Sequence, residues 1–429
     1  MNDLTAVAPR QSRFSWRGLA PWVISLVVLM VIPLLVSSGT AFTLLNLIAI
    51  NIVFALSYNM LLGQGGMLSF GHAVFFGLGS YAAIHAMNAI GDASYAGEGL
   101  WAHVPVLALP LVGMAAGGLA ALVIGWPFCR RAGTAFAMIT LGLGELVAAS
   151  AQMFPSVFGG ESGVFSDRMV GPQVFGPELA QPADVYWFMV FWVLVAVFAM
   201  WAFTRTPLGR LSNAVRDNAE RLQFIGYQPR NVRFMVLIAS GAFGGLAGGM
   251  AAVNYEIVTP ESLGLVPSGL ALLMAAVGGL GVFYGPIIGA ILVTLMNSLL
   301  IDFTEASVLY VGLVFLAVVM FAPRGLGGGV EQVRQAWHDG DLYVAEIDRI
   351  WRYPDIAKHL DSPQRESVRD DLPDATHHGW RYIAFGPDGK LYVAIGAPCN
   401  ICEPDDFVRD GRTLQFGSIT RMNPDGSEW

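Results

Sequence analysis

Long apolar runs alternate with short polar loops over most of the chain. A helix needs about 20 apolar residues, with roughly 17–25 observed, to cross the hydrocarbon layer of a membrane. Backbone polar groups in lipid must be satisfied within the segment, so such runs are expected to form helices. The eighth and ninth runs are short, which leaves open whether they cross fully or are re-entrant or broken. The pattern predicts about ten transmembrane helices, near residues 19–36, 39–60, 68–90, 104–126, 134–153, 185–203, 233–253, 268–282, 286–301 and 307–322.

The loops between these runs alternate in charge. With a cytoplasmic N-terminus, thirteen of the fourteen arginines before residue 336 fall on the cytoplasmic side, and Arg168 alone falls outside. Most loop acids fall on the outer side. Because arginine and lysine favour cytoplasmic loops, this distribution predicts a multi-pass membrane protein whose N-terminus and C-terminal tail are cytoplasmic.

The composition divides the chain into two parts. Residues 1–335 contain no lysine and are about 9% charged, whereas residues 336–429 are about 29% charged. The formal net charge of -8 comes mostly from the second part. No basic stripe is present, so nucleic-acid binding is not expected. The sequence therefore predicts an all-α polytopic membrane domain over residues 1–335 and a short soluble, β-rich fragment over residues 341–429.

Few ionisable groups interrupt the apolar runs. Glu145 is the only carboxylate well inside one of them, and His72 lies on the third. A charged group at the bilayer centre costs at least about 2.5 kcal/mol, so Glu145 needs a partner or a water-filled path. His72 either forms a hydrogen bond between helices or binds a ligand, and the residues alone leave both interpretations open. The absence of a chain of acids and histidines disfavours a proton-coupled carrier.

Glycines are concentrated in three runs, Gly113–Gly118, Gly244–Gly249 and Gly278–Gly281. Small residues let helix backbones approach closely inside a membrane, where hydrophobicity does not drive helix association. The preferred interpretation of these runs is helix packing rather than contact with a substrate.

One long polar segment lies between Phe203 and Phe234. From Leu208 to Ile225 it is predicted to form one amphipathic helix, which Gly226 ends. Such a helix either lies along the inner membrane surface or docks into a cleft on another protein, and the residues alone leave both possibilities open. Its apolar positions are Leu211, Val215, Leu222 and Ile225.

Four stretches resemble the LivM-like membrane subunits of branched-chain amino-acid ABC importers. The resemblance covers about residues 15–330, but related importers carry urea and short amides, so it does not fix the substrate. It implies a permease of the bacterial inner membrane, in contact with lipid, that pairs with a second homologous permease, two cytoplasmic ATPase subunits and a periplasmic substrate-binding protein. The stretches are residues 57–81 (SYNMLLGQGGMLSFGHAVFFGLGSY), 133–145 (GTAFAMITLGLGE), 206–227 (TPLGRLSNAVRDNAERLQFIGY) and 321–326 (FAPRGL).

The resemblance also implies roles for particular residues. A coupling segment, residues 208–226, would insert into an ATPase subunit, and a translocation path would run beside residues 63–72 and the fifth span, which carries Glu145. No G-x-x-x-x-G-K-[ST] pattern occurs in the chain, so ATP must be hydrolysed by a partner. We therefore expect a transport subunit that is not an enzyme and binds neither cofactor nor metal itself. The coupling residues are Leu208, Gly209, Arg210, Arg216, Asp217, Glu220, Arg221 and Gly226, and the path residues are Gly65, Gly66, Ser69, His72 and Glu145.

The tail follows a different pattern. LYVAE from residue 342 and KLYVAIG from residue 390 are typical of short strands, and the GPDG and NPDG sequences are typical of turns. Residues 377–406 resemble the soluble glucose/sorbosone dehydrogenases, six-bladed β-propellers that use pyrroloquinoline quinone. That family's catalytic base corresponds to His378.

The tail is long enough for only about two blades, given roughly 40–45 residues per blade. We therefore expect an inactive partial propeller left by a gene fusion or a gene-model junction, with the quinone cofactor bound only if the propeller were complete. Cys399 and Cys402 form a C-x-x-C, but two further zinc ligands at convincing spacing are missing.

Two other functions stay open at this point. One is a membrane-tethered, quinone-dependent sugar dehydrogenase whose propeller is truncated. The other is an ion-coupled carrier, which would lose uptake on addition of an uncoupler but not on loss of the ATPase.

Deletion of residues 341–429 distinguishes the transporter from the dehydrogenase. We expect ATP-dependent amino-acid uptake by membrane vesicles to be unchanged, because the transport residues all precede the deletion. Sugar-dependent dye reduction by the intact chain that disappears on deletion would instead favour the dehydrogenase.

Overall fold

The computed structural model has two compact units, Met1–Gly325 and Leu326–Trp429. The first is helical and the second is built from short strands. The structure describes residues 16–35, 38–97, 99–131, 133–172, 179–303, 307–321, 325–328, 337–338, 340–359, 362–372, 382–386, 388–396, 408–409, 412–413 and 418–427.

The helical unit follows the apolar runs of the sequence closely. A π-helical turn, Met60–Gln64, continues the second helix. Two short strands, β1 (Val164–Phe165) and β2 (Ile257–Val258), pair in antiparallel fashion. The helices are α1 (Trp16–Leu35), α2 (Gly39–Asn59), α3 (Ala73–Ala96), α4 (Leu109–Phe128), α5 (Thr134–Met153), α6 (Pro155–Phe158), α7 (Pro182–Arg205), α8 (Pro207–Asp217), α9 (Ala219–Phe224), α10 (Pro229–Tyr255), α11 (Leu265–Gly278), α12 (Gly285–Phe303) and α13 (Ser307–Phe321).

Each of the ten predicted runs corresponds to one of these helices. Within the described residues, six helical segments are long and apolar enough to cross a membrane, and three shorter apolar helices accompany them. The chain is therefore a multi-pass helical membrane protein, while the count of ten crossings stays a prediction. The six segments are Gly39–Gln64, Ala73–Ala96, Val106–Phe128, Thr134–Met153, Pro182–Arg205 and Pro229–Tyr255.

The predicted start of the third span at residue 68 is wrong. The helix begins at Ala73, and residues 65–72 are not helical. Hydropathy cannot detect this change because the stretch is as apolar as a helix, although its glycines permit an irregular backbone.

Helix α10 occupies the centre of the bundle, where most of its residues are buried. Glycines on α4 face glycines on α10: a Cβ on Gly117 would lie 2.8 Å from the Cα of Gly245, and one on Gly249 would lie 2.8 Å from the Cα of Pro110. No side chain fits between the two backbones at these points. The prediction that the two glycine runs serve helix packing is thus confirmed.

The two ends of the bundle differ in their charged residues. Arg216 contacts the last turn of α2, and Arg230 contacts the carbonyl of Trp126, so these arginines mark one arginine-rich end. Arg168 lies at the opposite end, where it donates to the carbonyl of Asn254 at 3.1 Å and forms an ion pair with Glu256 at 3.5 Å. The single arginine predicted on the outer side is therefore neutralised within the bundle.

Two of the three sheets described in the strand unit share one hydrophobic core. Tyr343 and Ile350 of one sheet pack with Leu391 and Met422 of the other. The first sheet has the order β3-β4-β5-β6, the second β11-β8-β7, and β9 pairs with β10. Their bounds are β3 (Trp337–His338), β4 (Asp341–Ala345), β5 (Ile350–Tyr353), β6 (Glu366–Arg369), β7 (Tyr382–Phe385), β8 (Leu391–Ile395), β9 (Val408–Arg409), β10 (Arg412–Thr413) and β11 (Ser418–Met422).

The strands and turns predicted in the tail are confirmed. The amide of Gly386 donates to the carbonyl of Lys390, and the amide of Asn423 donates to the carbonyl of Ser427, which closes both predicted turns. The partial propeller remains a prediction. His378, Cys399 and Cys402 lie outside the described residues.

The contact between α4 and α10 gives a matched test with two adjacent glycines. Gly117→Ala places a methyl group against the backbone of α10, so we expect it to lower the free energy of unfolding by about 1–3 kcal/mol. Gly118→Ala meets the Cβ and Cα of Ala242 at ordinary contact distances of 3.4 and 3.8 Å and is expected to have little effect. Thermal unfolding of both variants in detergent checks this, and equal stability of the two would contradict the packing argument.

Candidate functional site

The chain leaves the helical conformation at the end of α2, and we call residues 60–72 the broken segment. The amides of Gly65 and Gly66 donate to the carbonyls of Met60 and Leu62, at 3.2 and 3.0 Å, so the helix widens before it ends. Gly66 has φ of 65°, a conformation that glycine adopts without strain. Most of the segment is buried. Irregular backbone within a membrane protein must be enclosed in this way, because lipid cannot satisfy its polar groups.

Two other helices hold the broken segment in place. The amide of Phe70 donates to Oγ1 of Thr140 on α5 at 3.2 Å, and the amide of Ala73 donates to Oγ of Ser268 on α11 at 2.9 Å. A Cβ on Gly144 of α5 would lie 3.3 Å from the Cα of Gly71. The structure thus brings the third predicted span and the fifth together. Thr140 and Ser268 were not predicted from the sequence. For Thr140 the one available signal was its position in residues 133–145, a stretch that resembles the permease family; for Ser268 there was no such signal.

His72 is fully buried between spans. Its Nε2 lies 3.0 Å from Oγ of Ser57, which itself donates to the carbonyl of Phe54 at 2.7 Å. The histidine therefore donates from Nε2. Its ring stacks on Phe54 and meets Tyr58 edge-on, with centroid distances of 5.5 and 5.2 Å. This geometry is that of a histidine hydrogen-bonded inside the bundle.

Several buried polar atoms in and beside the broken segment have no hydrogen-bond partner within the described structure. They are Oδ1 of Asn59, Oε1 of Gln64, Oγ of Ser69 and Nδ1 of His72. Leaving a buried polar group unpaired costs about 1–3 kcal/mol, and most such groups in proteins are paired. Water, a solute or a rearrangement that supplied hydrogen-bond partners to these atoms would therefore stabilise the broken segment.

Glu145 lies on the outward face of α5. Its neighbour Gly144 packs on the broken segment, which turns the carboxylate away from it. No hydrogen bond or ion pair to Glu145 is present among the described residues. A face that carries a carboxylate in mid-span is poorly suited to lipid. The exposed positions of this face are Thr134, Ala135, Met138, Gly142, Glu145, Leu146 and Ala149.

The coupling segment is two helices, so the prediction of one helix from Leu208 to Ile225 is wrong. Asn218 separates α8 from α9 with φ of -159° and ψ of 101°. Its side chain accepts a hydrogen bond from the amide of Arg221 at 2.9 Å, which caps α9, while Thr206 caps α8 through the amide of Gly209 at 3.1 Å. Gly226, with φ of 89°, ends α9 as predicted.

One face of the coupling segment packs against the arginine-rich end of the bundle. Val215 and Leu222 are buried in a core with Leu61, Phe136 and Val236, which come from the broken segment, α5 and α10. Gly209 and Ser212 are buried as well. The segment is therefore anchored to the helices that surround the broken segment.

The other face is exposed and ends in an apolar tip, Phe224, Ile225 and Tyr227. These side chains are 88%, 67% and 49% exposed. Ile225, one of the four apolar positions of the predicted helix, therefore does not share the buried face of Val215 and Leu222, and the exposed Phe224 and Tyr227 were missed. Large exposed apolar side chains at one place mark an interaction surface. Six predicted coupling residues are exposed on the same segment: Arg210, Arg216, Asp217, Glu220, Arg221 and Gly226.

Arg216 joins the coupling segment to the broken segment. Its guanidinium donates from Nη1 to the carbonyl of Gly63 and from Nε to Oδ1 of Asp217, the latter at 2.9 Å. A Cβ on Gly66 would lie 2.9 Å from Cγ of Arg216. The structure therefore brings the predicted coupling residues and the predicted path residues into direct contact.

Cys129 is buried at the end of α4, in the same core as Val215. Burial raises the pKa of its thiol to about 12, although the charges of Arg233 and Arg230 act in the opposite direction. The thiol is therefore neutral and protected from reagents. Within the described ranges, no group of three or more His, Cys, Asp and Glu side chains could hold a metal ion.

The chain matches known permeases over most of its length. A family model described as the permease component of the branched-chain amino acid transport system covers residues 40–323. LivM, the high-affinity branched-chain amino acid transport system permease protein of Escherichia coli K12, is 29% identical over 329 residues, 71% of this chain and 74% of that protein. BraD of Pseudomonas aeruginosa, which carries the same description, is 22% identical over 295 residues, 65% of this chain and 92% of that protein.

A more distant relative is the autoinducer 2 import system permease protein LsrC of Escherichia coli, 28% identical over 174 residues, 35% of this chain and 46% of that protein. No solved structure matches the chain significantly.

The family model includes the broken segment, the outward face of α5 and the whole coupling segment. It ends before the tail, so the resemblance of residues 377–406 to dehydrogenases stays a prediction. The relatives are permease components of transport systems and not enzymes. This chain belongs to the family of permease components of branched-chain amino acid transport systems.

Proposed function

We propose that the chain carries branched-chain amino acids inward across the bacterial inner membrane as one of two homologous permeases, driven by two cytoplasmic ATPases and supplied by a periplasmic binding protein. The observation that carries this proposal is the two-faced coupling segment. Its buried face is anchored to the bundle, and its exposed face ends in the apolar tip. The substrate follows from the names of LivM and BraD, while the autoinducer permease indicates that related chains carry other solutes.

The proposed topology has ten crossings, with the N-terminus, the coupling segment and the tail in the cytoplasm. The arginines of the coupling segment lie at the same end of the bundle as Gly63, and Arg168 lies at the opposite end. This separation supports the positive-inside assignment. The short helices α11 and α12 would cross with the help of the loops that flank them.

The apolar tip would occupy a cleft on an ATPase subunit. Phe224 and Ile225 are 88% and 67% exposed, so the described chain leaves most of each side chain uncovered. Burying a side chain of this size contributes about 1.5–3 kcal/mol. The exposed charges on α8 and α9 would then fix the orientation of the segment in the cleft.

The translocation path would run beside the broken segment and the outward face of α5. Gly65, Gly66, Ser69 and His72 lie in the broken segment, which contacts α5 through Thr140 and Gly144. Glu145 points away from this chain. The second permease would cover that face, so that the carboxylate lines a water-filled path between the two subunits and not the lipid.

Ile225→Asp tests the docking of the apolar tip. In the reconstituted transporter, we expect the affinity for the ATPase subunits to fall about tenfold to a hundredfold, because a buried apolar contact is lost. Uptake of leucine should fall with it. Co-purification and ATP-dependent uptake into proteoliposomes measure both effects.

The matched control is Tyr95→Asp, which places the same charge on a residue that is 99% exposed near the end of α3. It should leave the affinity for the ATPase unchanged. Normal ATPase binding by Ile225→Asp, or uptake by the wild-type permeases without any ATPase, would overturn the proposal.

Glu145→Gln tests the path. The variant keeps the size of the side chain and removes its charge, so we expect assembly to be unchanged and the rate of leucine uptake to change several-fold. Glu261→Gln, in the exposed loop before α11, serves as the control and should transport normally. Normal uptake by Glu145→Gln would show that the carboxylate is only a packed interface residue.

A further inference from the structure

We propose that Arg216 is the positioning residue through which movement of the coupling segment reaches the broken segment. This inference rests on the proposed function, because it supposes that an ATPase moves the coupling segment. It assigns Arg216 a role inside the permease, whereas the resemblance to the family placed it among the residues that contact the ATPase.

The first observation is the hydrogen bond to Gly63. Carbonyl groups in the last turn of a helix have no partner within the helix, and they carry a partial negative charge. The guanidinium of Arg216 supplies both a donor and a positive charge at this position. The end of α2 is therefore bound to a residue of α8, 153 positions later in the chain.

The second observation is the fit between Arg216 and Gly66. The methylene groups of Arg216 occupy the space where a side chain on residue 66 would lie, since a Cβ there would be 2.9 Å from Cγ. Gly66 also has φ of 65°. The irregular backbone after the π-helical turn is thus shaped around the arginine stem.

The third observation is the position of Arg216 in the coupling segment. It lies two residues before Asn218, the extended residue that divides α8 from α9. Its Nε is held by Asp217, which is exposed. A rotation of α9 and the apolar tip about Asn218 would displace Asp217 and Arg216 first, and the guanidinium would transfer that displacement to Gly63.

The broken segment is suited to receive such a displacement. It holds three of the buried polar atoms that lack partners, on Gln64, Ser69 and His72. A rearrangement that gave these atoms water or solute as partners would recover part of the free energy that their burial costs. The guanidinium of Arg216 binds Gly63, near the start of the broken segment, so a small movement of this side chain can change the conformation of the segment.

The test measures coupling in the assembled, reconstituted transporter. Arg216→Met keeps the stem and removes the donors, and Arg216→Lys restores one charged donor. We expect Arg216→Met to assemble and hydrolyse ATP while leucine taken up per ATP falls about tenfold, the loss expected from one charge-assisted hydrogen bond. Arg216→Lys should be intermediate. Arg205→Met, an exposed arginine at the same end of the bundle, should keep the wild-type ratio.

A labelling experiment separates transmission from a merely structural effect. The reporter is Ser69→Cys in a chain whose three cysteines, Cys129, Cys399 and Cys402, are replaced by serine. We expect its reaction with a membrane-permeant maleimide to differ between the nucleotide-free and the vanadate-trapped transporter. In the Arg216→Met background the rate should be the same in both states.

The outcomes distinguish this inference from the proposed function. An unchanged uptake per ATP together with nucleotide-dependent labelling in Arg216→Met would overturn the inference. If that variant does not assemble, Gly66→Ala decides, since it displaces the arginine stem: a lowered ratio supports the inference and a normal ratio overturns it. Absence of ATP-driven uptake by the wild-type transporter would instead overturn the proposed function.

Discussion

The irregular backbone of the broken segment needs hydrogen-bond partners that water cannot supply inside an apolar bundle. Thr140, Ser268 and Arg216 each satisfy one backbone group in or beside the segment, and each comes from a different helix. The carbonyl of Ser69 is satisfied by Tyr58 in the same way. The arrangement of α5, α8 and α11 is therefore tied to a single constraint, which is that non-helical backbone within a membrane protein must be enclosed by protein.

The same constraint explains the two faces of the coupling segment. A helix that lay free on the membrane surface would bury its apolar residues in lipid. Here Val215 and Leu222 are buried in the bundle, and Phe224 and Ile225 point away from it. A segment with one buried apolar face and a second, exposed apolar surface at its end is suited to contact protein on both sides.

The sequence predicted the helices, the glycine contacts and the stop at Gly226, because each depends on local composition or on the conformation of one residue. The division at Asn218 was also locally encoded, as asparagine is a preferred helix cap, but the helical spacing of the neighbouring apolar residues concealed it. The direction of Arg216 and the contacts of His72 could not be predicted. Arg216 contacts Gly63, which lies 153 residues away in the chain. His72 contacts Ser57 of α2 from an irregular stretch of backbone that hydropathy does not register.

The exposure of Glu145 supports the proposal that this chain works together with a second permease. The carboxylate is exposed on a helix with no other charged residue, one residue after the glycine that packs on the broken segment. Facing lipid, it would either carry a charge at a cost of at least about 2.5 kcal/mol or be neutralised. A second permease removes this cost if it places a water-filled path against α5. The broken segment, which packs against α5 at Gly144, would then receive the movement of the coupling segment through Arg216 and transfer it to the proposed path beside both elements.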